Sequence, residues 1–391
     1  MLIQGFLLAD PAKKPEPGYL RIDNGRIAEI RLGDLPRNSG PPDLGSPSHI
    51  ICPAFIDAHF HFPQIDSIGC DGMPLLEWLD KVIFPAEAWW GKGAAVPATR
   101  TAIRRLTNEG TVGVAGYLTS HAQGSAEAVA LLARTPMRFH VGRVAMDRNA
   151  PDDLTDEDRR RAAMRPIPSP ILAPNPSLIA PRQAISANPR FAISCTPELL
   201  AEIGWTINQR QSQSIRHYLQ THLAESPEEC AQVRHMFHEE HYTSVYDKFN
   251  LLNERTILAH CIHLADPEWE LIARRKSIVA SCPGANMFLR AGLFNLDKAR
   301  DFAVRLTLGS DVAAGPDIAM PRVARQFIET AKVRALTSGA RHVPAPAEAW
   351  NLITRHNADA LGWHDAGRLE TNAAADLLVL RVPDLWHDEH L

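Results

Sequence analysis

Short apolar runs alternate with segments of helical periodicity through the middle of the chain. The runs that predict strands are Gly110–Tyr117, Met137–Met146, Ser214–Leu223, Thr256–His260, Ser277–Ser281 and Val304–Leu308. Helices are predicted at Val96–Asn108, Ala126–Arg134, Thr196–Ile203, Ser226–His241, Pro267–Arg275 and Leu296–Phe302. Repeated strand–helix units of this length predict an α/β fold with a parallel sheet. We expect a (β/α)8 TIM barrel. An open doubly wound sheet is the alternative, although no G-x-G-x-x-G motif follows the first strand.

Both ends of the chain carry isolated strand patterns. Gly18–Ile30 predicts two strands around the turn Asn24–Gly25, and Ala375–Val382 is also strand-like. Between them, the Pro-, Gly- and Ser-rich stretch Leu35–Ser48 predicts an exposed connection. Because isolated short strands cannot bury themselves, we expect the two ends to pair into a small β-domain. The predicted domains are residues 1–50 with 361–391 for this β-domain and residues 51–360 for the barrel.

The charge balance and the hydropathy exclude two classes of partner. The 391 residues include 41 Lys and Arg and 45 Asp and Glu, a formal net charge of −4 without a long block of one sign. Binding to a nucleic-acid backbone calls for a basic face, so no nucleic-acid partner is expected. The chain has no run of about 18 apolar residues, so no membrane span is expected. Met1–Asp10 lacks the basic leader and cleavage site of a secretory signal, and we expect a cytoplasmic protein.

Cysteine and histidine raise the question of a metal. The six cysteines never form a C-x-x-C pair, which excludes a zinc ribbon and a thioredoxin-like redox motif. They are also too sparse for a disulfide scaffold. The 17 histidines are either metal ligands or scattered surface residues, and composition leaves both interpretations open.

Two histidines end the first predicted barrel strand. Ile50–Pro63 reads IICPAFIDAHFHFP, and within it His59 and His61 are two positions apart. Side chains two apart on a strand point to the same side, so both imidazoles can reach one metal ion. The alternative is two unrelated histidines at a strand end.

Further polar residues stand at or just after the ends of other predicted strands. These are His222, followed three positions later by Glu225, then His260 and Asp311. Taken singly, Glu225 could cap the next helix and Asp311 could form an ordinary turn or cap. Their shared position, however, is the face of a barrel where active sites assemble. With the H-x-H pair they predict one divalent-metal site that has an open position for water, and Glu225 is its candidate proton shuttle.

The distribution of lysine argues against a second metal ion. Many two-metal barrels of this kind bridge their ions with a carbamylated lysine on a middle strand. Between Lys92 and Lys248, an interval that covers the predicted middle strands up to His222, the chain has no lysine. A single ion is therefore expected.

Longer motifs carry a specific resemblance. They are PAFIDAHFHFPQ (53–64), PLLEWLDKVIFPAEA (74–88), AMDRNAP (145–151), NPRFAISCTPELL (188–200), LQTHLAES (219–226), YDKFNLLNERTILAHCIHL (246–264), GLFNL (292–296) and GSDVAAG (309–315). In these segments the chain resembles the guanine deaminases of the amidohydrolase superfamily. The H-x-H pair occurs throughout that superfamily, whereas the Phe-Pro-Gln after it and the Pro-Arg-Phe and Met-Asp-x-Asn segments are closer to the guanine branch.

The resemblance implies a metal centre, a substrate site and an assembly. The expected ligands of one Zn²⁺, with Fe²⁺ as the alternative, are His59, His61, His222 and Asp311. Glu225 would be the general acid/base, and His260 would hold the attacking water or complete the coordination. A small-molecule purine base would be held by Gln64, Arg190 and Phe191. The alternative interpretations of these residues are a strand-end amide, a surface arginine and a core phenylalanine. The resemblance also implies a β-sandwich built from both termini and a homodimer.

The activity implied is the hydrolytic deamination of guanine to xanthine and ammonia by a metal-activated hydroxide. Zinc lowers the pKa of a bound water to about 7. Asp311 would accept the first proton, and Glu225 would protonate a ring nitrogen and then relay a proton to the leaving amine. The P-C-x-x-C zinc motif of the cytidine-deaminase route is absent from the sequence.

The chain departs from the usual pattern of that family at several positions, and it is somewhat short. Ser281-Cys282-Pro283 stands where His-Cys-Pro is common, Arg290 stands where small residues are usual, and Ala313 and Ala314 replace part of a glycine-rich turn. None of these changes removes an expected ligand or Glu225. Arg290 and the alanines can change the pocket, so another amino-heterocycle (8-oxoguanine, a pterin or a triazine) is the first alternative substrate. A catalytically silent metal-binding relative is the second alternative.

Overall fold

The computed structural model describes residues 1–155, 182–212 and 217–381. The strands are β1 Leu2–Leu7, β2 Glu16–Asp23, β3 Arg26–Leu32, β4 Leu44–Pro53, β5 Phe55–His61, β6 Thr111–Tyr117, β7 Arg138–Gly142, β8 Val144–Ala145, β9 Gln183–Ile185, β10 Asn188–Pro189, β11 Leu219–Leu223, β12 Thr256–His260, β13 Ile278–Ser281, β14 Arg305–Leu308 and β15 Leu377–Arg381. The α-helices are Leu75–Trp78, Phe84–Trp89, Ala95–Asn108, Ala122–Leu132, Asp152–Thr155, Pro197–Ser212, Pro227–Phe237, Tyr242–Lys248, Asp266–Arg275, Pro283–Phe288, Leu296–Asp301, Met320–Ser338, Pro346–Leu352 and Arg355–Ala360. None of these described helices has the length and apolar composition needed to cross a membrane.

Strands from both ends of the chain form one five-stranded sheet, in the order β15-β4-β1-β2-β3. β15 runs antiparallel to β4 and pairs Leu377 with Pro53, so the two ends of the chain meet as expected. The hairpin β2–β3 turns at Asn24 and Gly25, whose φ angles of 47° and 72° are the left-handed geometry that an Asn-Gly pair favours. A sandwich requires a second sheet packed on the first. Within the described ranges the terminal strands form this one sheet, and the sandwich stays a prediction.

The predicted connection Leu35–Ser48 is shorter in the structure. β4 already begins at Leu44, where it pairs in parallel with Ile3 of β1. Most residues of β4 up to Ile50 are partly or fully exposed, so the strand carries no continuous apolar pattern there, and its first half reads as a loop from sequence. β4 also runs across the predicted domain boundary at residue 50 without interruption.

Eight parallel strands of the described chain lie in two four-stranded sheets, β5-β6-β7-β9 and β11-β12-β13-β14. The two sheets meet on one side where Ala187, just after β9, forms a parallel bridge with Leu219 of β11. On the other side, Asn357 donates from one side-chain amide to the carbonyl oxygens of Ile56 and Leu308, at 2.7 and 2.8 Å. This is a parallel α/β architecture of the TIM-barrel type, as the alternation of strands and helices predicted.

The predicted strands and helices keep their order, and their bounds shift at irregular positions. Thr256–His260 is a strand with the predicted bounds, whereas the run Met137–Met146 is divided at Arg143 into β7 and β8. Of the predicted segment Ser214–Leu223, residues 214–216 lie outside the described residues, and β11 begins at Leu219. The helix that begins at Pro227 has the predicted capping box, in which Ser226 accepts a hydrogen bond from the backbone of Glu229.

Candidate active site

The carboxyl ends of the parallel strands bring the candidate metal ligands together. His59 and His61 lie at the end of β5, and His222 is the fourth residue of β11. Asp311 follows β14, and its backbone amide donates to the carbonyl oxygen of His59 at 2.8 Å. The donor atoms of these four side chains all lie within 4.8 Å of one another.

Four distances between the ligand atoms match the tetrahedral coordination of one ion. Nε2 of His61 is 3.2 Å from Nε2 of both His59 and His222. Oδ1 of Asp311 is 3.2 Å from Nε2 of His59 and also from Nε2 of His61. Ligand atoms placed tetrahedrally about 2.0–2.1 Å from zinc are about 3.3 Å apart. Three imidazole nitrogens and one carboxylate oxygen in this geometry therefore fit a single divalent cation.

The protonation states of these groups suit metal binding. Burial lowers the pKa of His61 from 6.5 to about 4. Burial is also the main cause that lowers the pKa of His222 well below 6.5, and the neighbouring His59 adds to it. Burial would raise the pKa of Asp311, but the adjacent His59 and His61 bring it well below 3.8. These shifts favour neutral imidazoles at His61 and His222 and a carboxylate at Asp311, which are the forms that ligate a metal.

Outer hydrogen bonds hold the ligands in place. The Nδ1 of His222 is 2.7 Å from the carbonyl oxygen of Arg190, to which it donates, so its Nε2 lone pair is left for a metal. Asp57 accepts from the backbone amides of His59 and Ser310 and also from the Ser310 hydroxyl. Asp57 therefore fastens the loop that carries Asp311 to β5. No local pattern in the sequence indicates this role of Asp57, because its partner Ser310 lies 253 positions away.

Glu225 and His260 lie beside the ligand group. Nε2 of His260 is 3.4 Å from Oε2 of Glu225 and 3.8 Å from Oδ2 of Asp311. Nδ1 of His260 lies 2.9 Å from Oδ1 of Asn286, to which it donates. Asp311 thus points one oxygen at the histidine ligands and the other at His260. His260 and Asp311 have φ angles of 70° and 50°, left-handed values that in non-glycine residues cluster at functional sites.

The helix after Glu225 is capped by other residues, so the carboxyl group of Glu225 takes no part in the cap. Ser226 is the N-cap, and Glu229 accepts hydrogen bonds from the backbone amides of Glu225 and Ser226 at 2.8 and 3.3 Å. The alternative in which Glu225 itself caps the helix is therefore wrong. Burial, and secondarily the charge of Asp311, raises the pKa of Glu225 well above 4.5. A raised pKa favours the protonated form of a carboxyl group, which can donate a proton.

A cavity with about 370 Å³ of empty space, its open mouth included, lies over the ligand group. It is lined by His61, Gln64, Leu75, Trp78, Leu79, Arg190, Phe191, His222, Glu225, His260, Leu289, Asp311 and Ala314. The structure therefore places all three predicted purine-contacting residues in one cavity with the candidate ligands. Arg190 is only 3% exposed, which overturns its alternative as a surface arginine.

Glu87, a residue that the sequence did not single out, binds the polar side chains at one end of the cavity. Glu87 is fully buried and binds Nη1 of Arg190 through both carboxylate oxygens, at 2.7 and 2.8 Å. Nε2 of Gln64 donates to Oε1 of Glu87 at 3.4 Å. Glu87 lies in the segment PLLEWLDKVIFPAEA, whose sequence carried the family resemblance but no chemical signal.

The departures from the family pattern have different positions relative to the cavity. Ala314 lines it, and the backbone amide of Ala313 donates to Oε1 of Gln64 at 3.1 Å. Arg290 is exposed and donates to the carbonyl oxygen of Gly72 at 3.4 Å, so it is not part of the cavity lining. Cys282 is buried, and its thiol lies in a second, smaller group of potential metal donors that shares His260 and Asp311 with the site.

Comparisons with known proteins agree with this geometry. The model of the amidohydrolase family matches residues 50–388. The guanine deaminase of Dictyostelium discoideum is 32% identical over 317 residues, which cover 80% of this chain and 68% of that protein. The guanine deaminase of Escherichia coli K12 is 30% identical over 372 residues, covering 93% and 81%. The crystal structure of guanine deaminase from C. acetobutylicum, with guanine bound in its active site, superposes with a TM-score of 0.85 at 27% identity and covers 97% of this chain and 90% of that one.

Proposed function

The chain belongs to the amidohydrolase family, and we propose that it hydrolyses guanine to xanthine and ammonia. The observation that carries this proposal is the group of three histidines and one aspartate at the floor of a cavity, with Glu225 beside it. The similarity to guanine deaminases over most of the chain supports guanine as the substrate.

The metal proposed is one Zn²⁺ per chain, with Fe²⁺ as the alternative. His59, His61, His222 and Asp311 would hold it, because imidazole nitrogen with a carboxylate oxygen is a donor set that zinc accepts in tetrahedral geometry. When bound, the ion lowers the pKa of a coordinated water to about 7.

Asp311 and His260 are proposed to hold the attacking water. Oδ2 of Asp311 and Nε2 of His260 face each other across 3.8 Å, and both can hydrogen-bond to a water between them. Asp311 accepts the first proton of that water at Oδ2 while the oxygen adds to the amino-bearing carbon. His260 donates a hydrogen bond from Nδ1 to Asn286, so its Nε2 faces the water and fixes the orientation of the water.

Glu225 is proposed to carry the remaining protons. In its acid form it protonates the ring nitrogen next to the amino-bearing carbon, which makes that carbon electrophilic. The proton that Asp311 took from water then passes through Glu225 to the amine. The C–N bond breaks, ammonia leaves, and the hydroxyl proton of the adduct restores the acid form of Glu225, so the atoms balance as guanine plus water.

The purine itself is proposed to lie against Gln64, Arg190 and Phe191. Arg190 and Gln64 offer hydrogen-bond donors to a ring edge, and Phe191, 4% exposed, offers an aromatic face. The finer features of the fold and assembly stay predictions: the closed (β/α)8 barrel, the β-sandwich, the division at residues 50 and 360, the homodimer and the cytoplasmic location.

The test is ammonia release by the purified protein on guanine, 8-oxoguanine, a pterin and a triazine, together with metal analysis of the same sample. The proposal expects about one equivalent of zinc or iron per chain and the highest kcat/KM on guanine. Fast turnover of a pterin or a triazine without turnover of guanine would replace the substrate but keep the reaction. Metal far below one equivalent without any turnover would favour the catalytically silent alternative.

A further inference from the structure

Glu87 is a buried carboxylate behind the wall of the cavity and has no part in the proposed chemistry. It lies on the short helix Phe84–Trp89, outside the parallel strands, and its backbone carbonyl accepts a hydrogen bond from Thr119 at 3.1 Å. A buried carboxylate is costly unless it is paired and hydrogen-bonded. The hydrogen-bond partners of Glu87 therefore indicate its role.

Among the residues that the structure describes, the polar partners of the Glu87 side chain are the two proposed to hold the purine edge. Nη1 of Arg190 donates to both carboxylate oxygens, at 2.7 and 2.8 Å, and Nε2 of Gln64 donates at 3.4 Å. Arg190 also lies over the ring of Phe84, 5.3 Å from its centroid, so the same helix holds the guanidinium by packing and by charge.

The side-chain amide of Gln64 is held at both ends. Its nitrogen faces Glu87, which in the carboxylate form only accepts, and its oxygen faces the backbone amide of Ala313 at 3.1 Å, which only donates. The amide therefore cannot exchange its oxygen and nitrogen without losing both contacts.

This arrangement fixes the hydrogen-bonding character of the cavity edge. Arg190 keeps guanidinium N–H groups beyond those bound to Glu87, and it has no acceptor. Gln64 keeps the second N–H of its amide, while its oxygen already accepts from Ala313. The edge that faces a ligand is thus dominated by donors, and it suits a ring edge that presents acceptors, such as a ring carbonyl.

We propose that Glu87 is a positioning residue that holds Arg190 and Gln64 in this donor arrangement and so selects 6-oxopurines over 6-aminopurines. The proposal rests on the proposed function for the site in which the purine lies. It assigns selectivity to a residue that touches neither the substrate nor the metal ligands.

The experiment compares Glu87→Gln with Glu77→Gln, a matched control on the preceding helix whose exposed carboxylate pairs with Lys81. We expect Glu87→Gln to raise KM for guanine about 10- to 100-fold, the range that the loss of a buried charge-assisted hydrogen bond produces. The kcat should stay within about threefold, since a uniform binding contact leaves kcat unchanged. The ratio of kcat/KM on guanine to that on 2,6-diaminopurine, which carries an amino group in place of the 6-oxo group, should fall at least about tenfold. Glu77→Gln should match the wild type in all three.

A binding measurement separates this proposal from the proposed function. Hypoxanthine has the 6-oxo group but lacks the amino group of guanine, so its calorimetric Kd reports the cavity edge without any deamination. We expect Glu87→Gln to weaken hypoxanthine binding by the same factor as KM, with unchanged metal content. If guanine is not turned over by the wild type but this shift appears, the function is wrong and the role of Glu87 stands.

Two results would overturn the role of Glu87. One is an unchanged hypoxanthine Kd in Glu87→Gln, and the other is a wild type that treats 2,6-diaminopurine and guanine alike. If Glu87→Gln does not fold, because Arg190 is left buried without its partner, Glu87→Asp replaces it. This variant keeps the charge but withdraws it from Gln64, and we expect a smaller rise in KM and a reduced preference for guanine over 2,6-diaminopurine. An Asp variant identical to the wild type in both would equally contradict the proposal.

Discussion

At the scale of single residues, burial sets the chemistry of the titratable groups. It raises the pKa of Glu225, where the charge of Asp311 acts in the same direction, and it lowers the pKa of His61. The same low-polarity environment thus favours the proton-donating form of Glu225 and the neutral, metal-ligating form of His61. This separation matches the division of roles proposed for the two residues.

Replacing Glu225 by glutamine tests the separation between proton transfer and metal binding. The amide cannot relay a proton, so we expect turnover to fall by about 10²- to 10⁴-fold, the usual contribution of a general acid/base. The four-residue ligand group does not include Glu225, so metal content should stay near that of the wild type. Glu228→Gln, at an exposed position of the next helix, is the matched control and should be fully active. An active Glu225→Gln variant would mean that another group carries the proton.

His140 predicts how stability depends on pH. Its Nε2 donates to the carbonyl oxygen of Leu361, its ring stacks on Tyr218 and Trp363, and burial lowers its pKa from 6.5 to about 4. As the pH falls, the unfolded chain therefore binds a proton at His140 at a higher pH than the folded chain does. The contribution of neutral His140 to the free energy of unfolding is fully present above about pH 6.5 and is lost as the pH falls toward 4. By linkage, this group alone removes about 2 kcal/mol between pH 7 and pH 5.

The measurement is denaturant unfolding of the wild type and His140→Gln at pH 7 and pH 5. Glutamine does not titrate, so the advantage of the wild type over the variant should shrink by about 2 kcal/mol at the lower pH. The other titrating groups cancel in this difference. A gap that does not change with pH would show that His140 has an ordinary pKa in the folded protein.

At the scale of elements, the metal site depends on how closely β14 approaches β5. Gly309 lies directly after β14, and a Cβ at this position would stand 2.4 Å from Cβ of His59. The backbone can therefore come close only because residue 309 has no side chain. This approach also lets Asp311 reach the carbonyl oxygen of His59.

Gly309→Ala should displace His59. Overpacking of this kind costs about 1–3 kcal/mol, and we expect lower metal content and reduced turnover together. Gly25→Ala is the control, because Gly25 has a φ of 72° and open space around its Cβ position. It should cost about 1 kcal/mol of stability through backbone strain alone and leave the metal content unchanged. Full metal content in Gly309→Ala, measured by elemental analysis, would show that β14 can move back without harm to the site.

At the scale of the whole molecule, Arg138 joins the parallel strands to the C-terminal part of the chain. Its guanidinium, 1% exposed, binds Asp376 at 2.8 Å and Asp365 at 3.0 Å. Asp365 also lies 3.4 Å from Arg26 of β3 in the terminal sheet. One buried cation on β7 thus connects three distant segments.

Arg138→Met should destabilise the protein by about 3–5 kcal/mol, since it leaves two largely buried carboxylates without their cation. Because these groups are not part of the active-site cavity, the folded variant should keep the KM of the wild type. Arg182→Met is the control. Arg182 is partly exposed and its guanidinium lies as far as 3.9 Å from Asp376, so its loss should cost at most about 1 kcal/mol. Equal unfolding midpoints for Arg138→Met and the wild type would contradict this role.

The sequence by itself determined the features that local periodicity encodes. The alternation of strands and helices predicted the α/β fold, and the turn at Asn24 and Gly25 and the capping box at Ser226 have the predicted geometry. The polar residues at predicted strand ends also gave the four-residue ligand group with Glu225 and His260, because the carboxyl ends of parallel strands meet at one face whatever the sequence between them.

Only the tertiary structure decided which distant residues pair. Glu87 binds Arg190 from 103 positions away, and Asp57 binds Ser310 from 253 positions away. The start of β4 at Leu44 depends on pairing with β1 across a half-exposed sheet. The physical reason is the same in each case: hydropathy and turn preferences act between near neighbours in the chain. A buried carboxylate or a strand edge instead finds its partner through packing, and residue spacing carries no record of that partner.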